Sequence, residues 1–436
     1  MFIKRNGNFK FVDSKLGMVI YQFKDNKLNN VIEVNESAAE IIKLANGNLS
    51  LDNLLKLIKK RNHIQDDKIM YQIRNYINYL IDDNILQLTS EKKISEPVFG
   101  NSNLIIPTQI IIEVTKQCQL KCIHCFNSSG EKLNNEMSSN ELINILKKFS
   151  ELGTFQILLT GGEPLLKDNI MDIIDFCCNN FYSVIIGTNA VAINDNFINN
   201  IKKYNNISFT ISVDGLEQTH DFFRGTKGCY SKTMKNITKL IKNNFSVYVS
   251  YTLNEHNYKE VNEIAKKVKD MGCSGINLGY ILNKGRAKSN LVPIISTNDY
   301  LKVMNEVFNK FNDDTFDAKN ESCDTGQDDM LLESIPYENK CGAGYRVLSI
   351  KSDGSVYPCP TCEDIKLGNI KLNSIEKVLS SDIVMKMLNI VTPCKKICGN
   401  CEQLPLCKNC ISRVLEKNNE QCKLKEIYYE QKIINN

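Results

Sequence analysis

Short apolar runs alternate with amphipathic helical patterns through the middle of the chain, from about residue 104 to 311. The apolar runs predict six strands, at Gln109–Val114, Gln156–Thr160, Ser183–Gly187, Ile207–Val213, Phe245–Thr252 and Gly275–Tyr280. Apolar residues at helical spacing between them predict helices such as Glu141–Leu152, Ile170–Cys178, Tyr230–Ile241 and Val261–Met271. Six strand–helix units predict an α/β fold with a parallel sheet, either doubly wound or a partial barrel. In both folds the functional residues lie at the carboxyl ends of the strands.

The first 95 residues have a different pattern. Gly17–Phe23 and Asn30–Asn35 predict two short strands, and Ser37–Ala45, Leu51–Arg61 and Asp66–Leu80 predict three helices. Strands followed by three short helices are typical of a small winged-helix-like module. The polar segment Glu91–Asn103 is predicted to be a linker because it contains Pro97 and Gly100.

The last region, 341–436, has little apolar periodicity and is rich in cysteine. Nine of the 17 cysteines of the chain lie between residues 341 and 422. The acidic segment before it, Asp313–Asn339, has no clear periodicity and is predicted to be a second linker. We therefore expect the last region to be organised by what its cysteines bind.

Composition excludes several classes of protein. The chain is 42% hydrophobic and 24% charged, which is ordinary for a soluble globular protein. No stretch reaches the ~18 apolar residues that a membrane span needs, and a net charge of +4 is too small to indicate a nucleic-acid-binding protein. The first residues contain no apolar export segment, so we expect a cytoplasmic protein whose thiols are available for metal binding or catalysis.

Three cysteines follow the first strand of the middle region, as Cys118-x3-Cys122-x2-Cys125. Three thiolates on one short loop can hold three irons of a cubane cluster and leave the fourth iron open to a small molecule, whereas four cysteines would leave no open iron. A structural zinc ion would need a fourth protein ligand. The chain has only four histidines, so mixed Cys/His zinc sites would use few of its thiols.

This spacing after a first strand resembles the signature of the radical S-adenosylmethionine (SAM) family. The resemblance implies a partial (β/α)6 TIM-like barrel and a [4Fe–4S] cluster whose open iron binds the amino and carboxylate groups of SAM. Leu159-Thr-Gly-Gly-Glu-Pro164 ends the second strand and is similar to the Gly-Gly-Glu motif of the family. Glu163 is then expected to accept hydrogen bonds from the SAM ammonium. Gly161 and Gly162 are expected to bring the backbone close to the ligand.

Later strand ends supply further expected SAM contacts. Gly187-Thr-Asn-Ala190 is similar to a Thr-Asn-Gly turn, with Ala190 as a departure, and Ser212 is placed to bond the ribose or the carboxylate. Arg224 resembles the arginine that pairs with the SAM carboxylate, although Arg224 as a surface charge and Asp214 as a turn residue are alternatives. The cofactor-binding set implied by the resemblance is His124, Phe126, Gly161, Gly162, Glu163, Thr188, Asn189, Ser212, Asp214 and Arg224.

The C-terminal cysteines resemble the SPASM domain of radical SAM peptide maturases, which carries two auxiliary [4Fe–4S] clusters. The pattern is Cys341-x12-Gly354-x4-Cys359, then Cys398-x2-Cys401-x5-Cys407-x2-Cys410, then Cys422; the family has three residues where this chain has two between Cys407 and Cys410. The resemblance assigns the first auxiliary cluster to Cys341, Cys359 and Cys410, with Cys362 either closing it or leaving an iron open for a substrate thiolate. It assigns the second to Cys398, Cys401, Cys407 and Cys422.

Zinc binding is an alternative for the C-terminal cysteines, and six further cysteines fall outside the predicted clusters. A zinc ribbon is disfavoured because its Cys pairs are usually separated by ~15–20 residues, rather than the five found between Cys401 and Cys407. Cys394 repeats the C-x3-C-x2-C spacing but no Gly-Gly-Glu segment follows, so it is interpreted as an unligated thiol. The scattered cysteines are interpreted as small buried hydrophobes: Cys177, Cys178, Cys229, Cys273 and Cys323.

The resemblance covers a recognition module (1–95), a radical SAM core (104–311) and a SPASM domain (341–436). With the segment Cys341-Gly-Ala-Gly-Tyr-Arg346, it is most similar to the sactisynthases of bacteriocin biosynthesis. It implies an oxidoreductase with SAM and three [4Fe–4S] clusters, in which a 5′-deoxyadenosyl radical leads to a thioether between a Cys sulfur and a carbon of a ribosomally made precursor peptide. The module would bind the leader of that peptide as an added strand, and flavodoxin or ferredoxin would supply electrons.

Other functions use the same architecture. Attachment at a β- or γ-carbon, carbon–carbon crosslinking and sulfatase-maturase-like oxidation of a Cys or Ser side chain stay open. A non-enzyme alternative is an iron–sulfur redox sensor that binds DNA through the first module. The module carries Lys59-Lys60-Arg61, but Asp66-Asp67 and Asp82-Asp83 follow, and a phosphate-binding face should be more basic. We therefore expect neither nucleic acid nor membrane as a partner.

Overall fold

The computed structural model describes residues 1–24, 27–320, 337–407, 409–416, 422–431 and 433–434. The chain divides into two compact units, Met1–Ile106 with Glu151–Gly153, and Pro107–Ser150 with Thr154–Asn436. Cys323, which the sequence interpretation placed among the buried thiols, lies outside the described residues.

The first unit contains two small sheets and three helices. Its strands are β1 Phe2–Arg5, β2 Phe9–Ser14, β3 Gly17–Lys24, β4 Lys27–Val34, β5 Asn46–Ser50, β6 Leu86–Thr89 and β7 Val98–Asn101. They form a three-stranded sheet in the order β5-β1-β6 and a four-stranded sheet in the order β4-β3-β2-β7. The helices are α1 Glu36–Leu44, α2 Leu51–Arg61 and α3 Asp67–Asp82. The predicted strands and helices of this region are therefore confirmed, with small shifts at their ends.

Each helix of the first unit begins at a side-chain cap. Asn35, Ser50 and Asp66 accept hydrogen bonds from backbone N–H groups in the first turns of α1, α2 and α3. Apolar residues of the strands and helices form one buried core, which includes Ile3, Phe11, Ile20, Ile42, Leu54 and Ile77. The prediction that Glu91–Asn103 is only a linker is wrong at β7, which pairs in parallel with β2. A four-residue strand next to a proline is too short to give a readable alternation.

The second unit is built on one ten-stranded sheet. Its strands are β8 Gln109–Glu113, β9 Gln156–Thr160, β10 Ser183–Thr188, β11 Ile207–Ser212, β12 Ser246–Leu253, β13 Gly275–Tyr280, β14 Asp317–Asn320, β15 Val347–Ile350, β16 Ser355–Tyr357 and β17 Gly368–Asn369. Their order is β14-β13-β12-β11-β10-β9-β8-β15-β16-β17. Neighbouring strands from β14 to β15 are parallel, and β16 and β17 are antiparallel additions. The six predicted strands are confirmed, and the partial barrel is the observed fold.

Helices connect these strands and continue into the cysteine-rich region. They are α4 Ser139–Glu151, α5 Ile170–Asn180, α6 Asp195–Ile201, α7 Glu217–Arg224, α8 Cys229–Lys242, α9 Val261–Asp270, α10 Gly285–Ser289, α11 Thr297–Phe311, α12 Ile375–Leu379, α13 Asp382–Leu388, α14 Lys395–Cys398, α15 Leu404–Cys407, α16 Ile411–Glu416 and α17 Lys423–Glu430. In the part of the chain that the structure describes, none of the helices has both the length and the apolar character required to cross a bilayer.

Four strands of this sheet, β14, β15, β16 and β17, were not predicted, and two of them pair with strands of the predicted set. β14 lies inside the segment Asp313–Asn339, so the linker prediction is wrong for these four residues, which pair with β13. β15 comes from the cysteine-rich region and pairs with β8, with Val347 opposite Gln109 and Ile350 opposite Ile112. Both strands have four residues, and their pairing partners lie far away in the sequence. The last region is therefore part of the central sheet and not only a shell around its thiols.

Candidate active site

A cavity of about 720 Å³ lies at the carboxyl ends of the parallel strands. Residues that end successive strands form its wall, among them Thr160, Ser212 and Thr252. Cys118, Cys122 and Cys125 of the first cysteine loop also line it, and so do Cys341, Cys359 and Cys410 of the last region. One cavity thus connects the two groups of thiols that the sequence patterns singled out.

The first cysteine loop is held by backbone contacts from other parts of the unit. The N–H of Cys118 donates to the carbonyl of Gly130 at 2.8 Å. Arg286 donates from Nε to the carbonyl of Cys122 at 2.7 Å and from its backbone N–H to the carbonyl of Cys125 at 2.9 Å. Sequence reasoning missed Arg286, because nothing in its local pattern connects α10 with a loop more than 150 residues earlier. Arg286 also lines the cavity.

The structural reason for glycine at residues 161 and 162 differs from the expected one. A Cβ at Gly161 would stand 2.4 Å from the carbonyl oxygen of Thr115, and one at Gly162 would stand 2.3 Å from that of Gln117. Gly161 also has a φ of +155°, which disfavours residues with a side chain. Both glycines line the cavity, but what requires them is the close approach of the turn after β9 to the backbone just before Cys118.

Glu163 is fully buried, and its carboxylate is bonded to the turn after β10. Oε1 accepts from the Thr188 hydroxyl at 2.6 Å, and Oε2 accepts from the backbone N–H of Asn189 at 2.9 Å. Burial raises the pKa of Glu163 to about 7, against the opposing effect of these hydrogen bonds. Glu163 is not among the cavity-lining residues, so in this structure its carboxylate fixes the Thr188–Asn189 turn, and its expected contact with SAM stays a prediction.

The Thr188–Asn189 turn reaches back to the first cysteine. Asn189 Nδ2 donates to Cys118 Sγ at 3.9 Å, and its Oδ1 accepts from Gln119 Nε2 at 3.0 Å. Ala190, which departs from the glycine of the family pattern, has a φ of +62°. This left-handed conformation is the one that glycine adopts without strain. The departure in sequence therefore occurs at a residue whose backbone has a conformation that favours glycine.

Asp214 is buried between the guanidinium of Arg224 and the imidazole ring of His124. Its Oδ2 lies 2.5 Å from Arg224 Nη2 and 3.2 Å from His124 Nε2. Burial on its own would raise the pKa of Asp214, but the positive charge of Arg224 and the interaction with His124 outweigh it and hold the pKa well below its usual range. Arg224 also donates from Nη1 to Cys122 Sγ at 3.7 Å. Because Arg224 is only 8% exposed, the surface-charge alternative is wrong.

Two buried nitrogen atoms at the cavity have no hydrogen-bond partner among the residues that the structure describes. They are His124 Nδ1 and Arg224 Nε, and both residues line the cavity. Buried polar groups are normally bonded, so these atoms fit a polar ligand beside the three thiols. The donor set therefore fits a cluster held by Cys118, Cys122 and Cys125 with SAM next to it. Ser212 and the partly exposed Phe126 also line the cavity.

The thiols of Cys359 and Cys362 lie next to each other. A hydrogen bond from the Cys362 thiol lowers the pKa of Cys359 to about 6, and the same bond together with burial raises that of Cys362. Cys359 lines the cavity, whereas Cys362 is fully buried behind it. The structure thus brings Cys362 to the predicted first auxiliary site, and its role as a ligand stays a prediction.

Cys394, Cys401 and Cys422 lie near Cys398. Burial raises the pKa of Cys398, a backbone hydrogen bond at Cys394 opposes this effect, and the proximity of the three other sulfur atoms raises the pKa further. Cys394 was interpreted as an unligated thiol, yet it lies beside the predicted second auxiliary site, and Cys407 is buried. Among the described residues, no three Cys, His, Asp or Glu side chains converge as a single metal ion would require. The ligand sets of the last region therefore depend on spacing and proximity alone.

Two family models match this chain. The radical SAM superfamily matches residues 112–268, and the SPASM iron–sulfur cluster-binding domain matches residues 341–411. The first range contains the loop with three cysteines and the turns that contact it. The second contains the cavity-lining thiols of the last region.

Known proteins of similar sequence and fold cover most of the chain. It is 26% identical over 405 residues to the antilisterial bacteriocin subtilosin biosynthesis protein AlbA of Bacillus subtilis (strain 168), across 89% of this chain and 86% of AlbA. It is 29% identical over 304 residues to the sporulation killing factor maturation protein SkfB of the same organism, across 69% of this chain and 71% of SkfB. Streptococcus suis SuiB bound to S-adenosylmethionine has a TM-score of 0.67 at 16% identity, across 95% of this chain and 97% of SuiB. SuiB bound to its precursor peptide SuiA gives a TM-score of 0.66 at 15% identity, across 96% and 97%.

Proposed function

We propose, from the premise that this chain is a radical SAM/SPASM peptide maturase, that it forms thioether crosslinks between a cysteine sulfur and a carbon atom of a ribosomally made precursor peptide. The observation that carries this proposal is the single cavity lined by Cys118, Cys122 and Cys125 and also by Cys341, Cys359 and Cys410. A peptide residue in this cavity would lie in the space that both groups of thiols line. Thioether formation needs both, because one site removes a hydrogen atom and another accepts an electron.

The chain uses SAM and [4Fe–4S] clusters, and we propose three clusters, one at the first cysteine loop and two in the SPASM domain. When bound, SAM and its cluster supply the one-electron chemistry that activates a C–H bond of the substrate. Iron–sulfur clusters held by thiolates can have potentials near about −400 mV or lower. The proposal therefore includes a cytoplasmic location, where the compartment is reducing, and flavodoxin or ferredoxin as the reductant.

The protein side chains around the cavity bind and orient SAM. Asp214 holds His124 and Arg224 in fixed positions, so that Arg224 presents a guanidinium to the SAM carboxylate without losing side-chain entropy at the moment of binding. Glu163 fixes the Thr188–Asn189 turn next to Cys118. We assign Ser212, Thr188, Asn189 and Phe126 to the SAM pocket because they line the same wall.

We propose that the first unit binds the leader of the precursor peptide along β4. This strand is at one end of the four-stranded sheet, and Leu28 and Val31 on it are each 43% exposed. The N–H of Val31 donates to the Asn30 side chain at 2.9 Å, so it points away from β3, and an added strand could replace this side-chain acceptor. In strand addition, such main-chain groups provide affinity for the peptide and neighbouring side chains provide specificity for its sequence. The similarity to SuiB, which has been solved with its precursor peptide, supports this assignment.

The function is tested with the reconstituted protein, SAM, a reductant and a short cysteine-containing candidate precursor peptide. We expect each crosslink to remove two hydrogen atoms from the peptide and to protect one cysteine from iodoacetamide. Fragmentation by mass spectrometry then separates a thioether from a carbon–carbon bond or from an oxidised Cys or Ser side chain. A modified peptide in which every cysteine still reacts with iodoacetamide would contradict the thioether proposal.

The site assignment has its own test. Replacing Cys118, Cys122 and Cys125 with Ala should remove about a third of the bound iron and abolish cleavage of SAM, while the auxiliary clusters remain. Cys273→Ala is the matched control, because Cys273 is a buried thiol away from the cavity. Formation of 5′-deoxyadenosine by the triple variant would reject the assignment.

A further inference from the structure

A buried ammonium group lies between the two groups of thiols. Lys351 directly follows β15, and 11% of its side chain is exposed. It lines the cavity together with Cys125 of the first loop and Cys359 of the last region. A lysine in this position contacts whatever occupies the space between the two metal sites, or holds the walls of that space.

The partners of Lys351 indicate the second role, because they come from three separate segments. Its Nζ donates to Asn127 Oδ1 at 3.3 Å and to the carbonyl oxygen of Pro360 at 3.5 Å. It also pairs with Glu113 Oε2 at 3.5 Å and with Glu363 Oε1 at 2.6 Å. Burial on its own lowers the pKa of Lys351, but the two carboxylates outweigh it and raise the pKa, so the group stays charged.

Glu113, a partner of Lys351, is itself held in place by hydrogen bonds. Its Oε2 accepts from Asn127 Nδ2 at 2.7 Å, and its Oε1 accepts from the Ser352 hydroxyl at 2.8 Å. Glu113 is the last residue of β8, which leads into the first cysteine loop. Satisfied polar networks in a site of low dielectric constant are rigid, because every alternative arrangement leaves a buried group unpaired.

The hydrogen-bond network of Lys351 includes one residue close to the cysteines of each predicted metal site. Asn127 lies two residues after Cys125, and Glu363 directly follows Cys362. The Lys351 contacts therefore join the loop of the first cysteines to the segment Cys359–Glu363. A movement of either loop by one ångström breaks at least one of these hydrogen bonds.

We propose that Lys351 is a positioning residue that fixes the segment Cys359–Glu363 relative to the first cysteine loop, and so sets the distance between the SAM cluster and the first auxiliary cluster. The expected consequence is that radical formation and substrate oxidation stay coupled, and this consequence rests on the proposed function. Stability alone does not account for the arrangement, because buried ion pairs commonly add little stability over apolar residues of the same size.

The test uses full-length reconstituted protein with SAM and the precursor peptide, and compares Lys351→Met, Glu363→Gln and the double variant. We expect Lys351→Met to lower the amount of modified peptide per 5′-deoxyadenosine about tenfold or more, and Glu363→Gln about threefold. Both substitutions act through one contact, so the double variant should match Lys351→Met. Iron content should stay at the wild-type level, and expressing the product per 5′-deoxyadenosine separates coupling from any change in the rate of SAM cleavage.

A spectroscopic readout is independent of turnover. In Lys351→Met the magnetic interaction between the reduced SAM cluster and the first auxiliary cluster, measured by electron paramagnetic resonance, should change because their distance changes. Lys351→Arg keeps the charge and should restore most of the coupling and the spectrum. Lys366→Met, which removes an exposed lysine of the same region, should behave as wild type.

Wild-type coupling and an unchanged spectrum in Lys351→Met would overturn the inference, and so would additive effects of the two substitutions. Loss of iron from Lys351→Met would also overturn it, since the role would then be in folding. If the wild-type protein cleaves SAM but never forms a thioether, the proposed function fails instead. The spectra of the variants still decide the role of Lys351 in that case.

Discussion

Two buried carboxylates at the cavity show opposite pKa shifts, and their partners explain the difference. Asp214 faces the guanidinium of Arg224 and the ring of His124, so opposite charge favours its ionised form. Glu163 is bonded to the neutral Thr188 hydroxyl and to backbone N–H groups, which compensate only part of the cost of burial. A charged Asp214 can therefore orient the side chains of Arg224 and His124, whereas Glu163 titrates near neutral pH.

The raised pKa of Glu163, to about 7, predicts a pH-dependent stability. The folded state binds this proton more tightly than the unfolded chain, so the stabilisation is complete below the unfolded pKa and is lost as the pH rises through 7. Between pH 6 and pH 8 the loss should be about 1 kcal/mol. It is measured as the pH dependence of the free energy of unfolding in urea, under anaerobic conditions, relative to Glu163→Gln.

Glu163→Gln cannot ionise, so its stability should change less across this range than that of the wild type. Glu217→Gln, at an exposed residue in the first turn of α7, should retain the wild-type slope. Equal slopes for the wild type and Glu163→Gln would mean that the buried carboxyl does not titrate in this window.

Elements with a clear period could be predicted from the sequence, and elements defined by a distant partner could not. The strands β9 and β13 and the helix α2 begin and end where their patterns predict, because five or more alternating or helically spaced residues determine the face that is buried. β7, β14 and β15 have four residues each. They are strands because an unpaired strand edge lies beside them, and that information is not local.

The start of α10 illustrates the same limit for the site. Gly285 has a φ of +54°, and a Cβ there would stand 2.2 Å from the carbonyl oxygen of Phe126 and 2.6 Å from that of Cys125. Gly285→Ala should therefore displace the first cysteine loop. We expect iron content to fall by up to about a third and SAM cleavage to fall about tenfold or more.

Gly228→Ala provides a matched control for this substitution. Gly228 also has a positive φ, of +78°, but a Cβ there would meet no atom within 4 Å. It therefore carries the backbone strain of about 1–2 kcal/mol without the collision. Iron loss of the same size in both variants would show that strain, and not contact with the cysteine loop, is responsible.

At the scale of the whole molecule, the cavity combines residues from most of the second unit. Of the described residues that line it, five carry a cationic side chain and one carries a carboxylate, which is Glu113; the cations are Arg224, Arg286, Lys319, Lys351 and Arg413. This excess of positive charge favours anionic occupants such as thiolate-bound clusters and carboxylates. The cysteines and the Gly-Gly-Glu segment could be found from spacing. Arg286 and Lys351 could not, because only the folded sheet brings them to the first loop.

The two units have separate cores, which predicts that peptide binding and SAM cleavage can be impaired independently. Val31 lies opposite Tyr21 in the edge strand β4 and donates its N–H to the Asn30 side chain. Val31→Pro removes this main-chain N–H at the edge of the sheet, where proline is tolerated. We expect affinity for the leader peptide, measured by fluorescence anisotropy, to fall about tenfold, while SAM cleavage without peptide stays unchanged. Ile94→Asp, at a residue that is 95% exposed and outside the sheets, should leave both properties unaltered. Wild-type leader affinity in Val31→Pro would place the peptide elsewhere on the molecule, since an added strand cannot bond to a backbone nitrogen that carries no hydrogen.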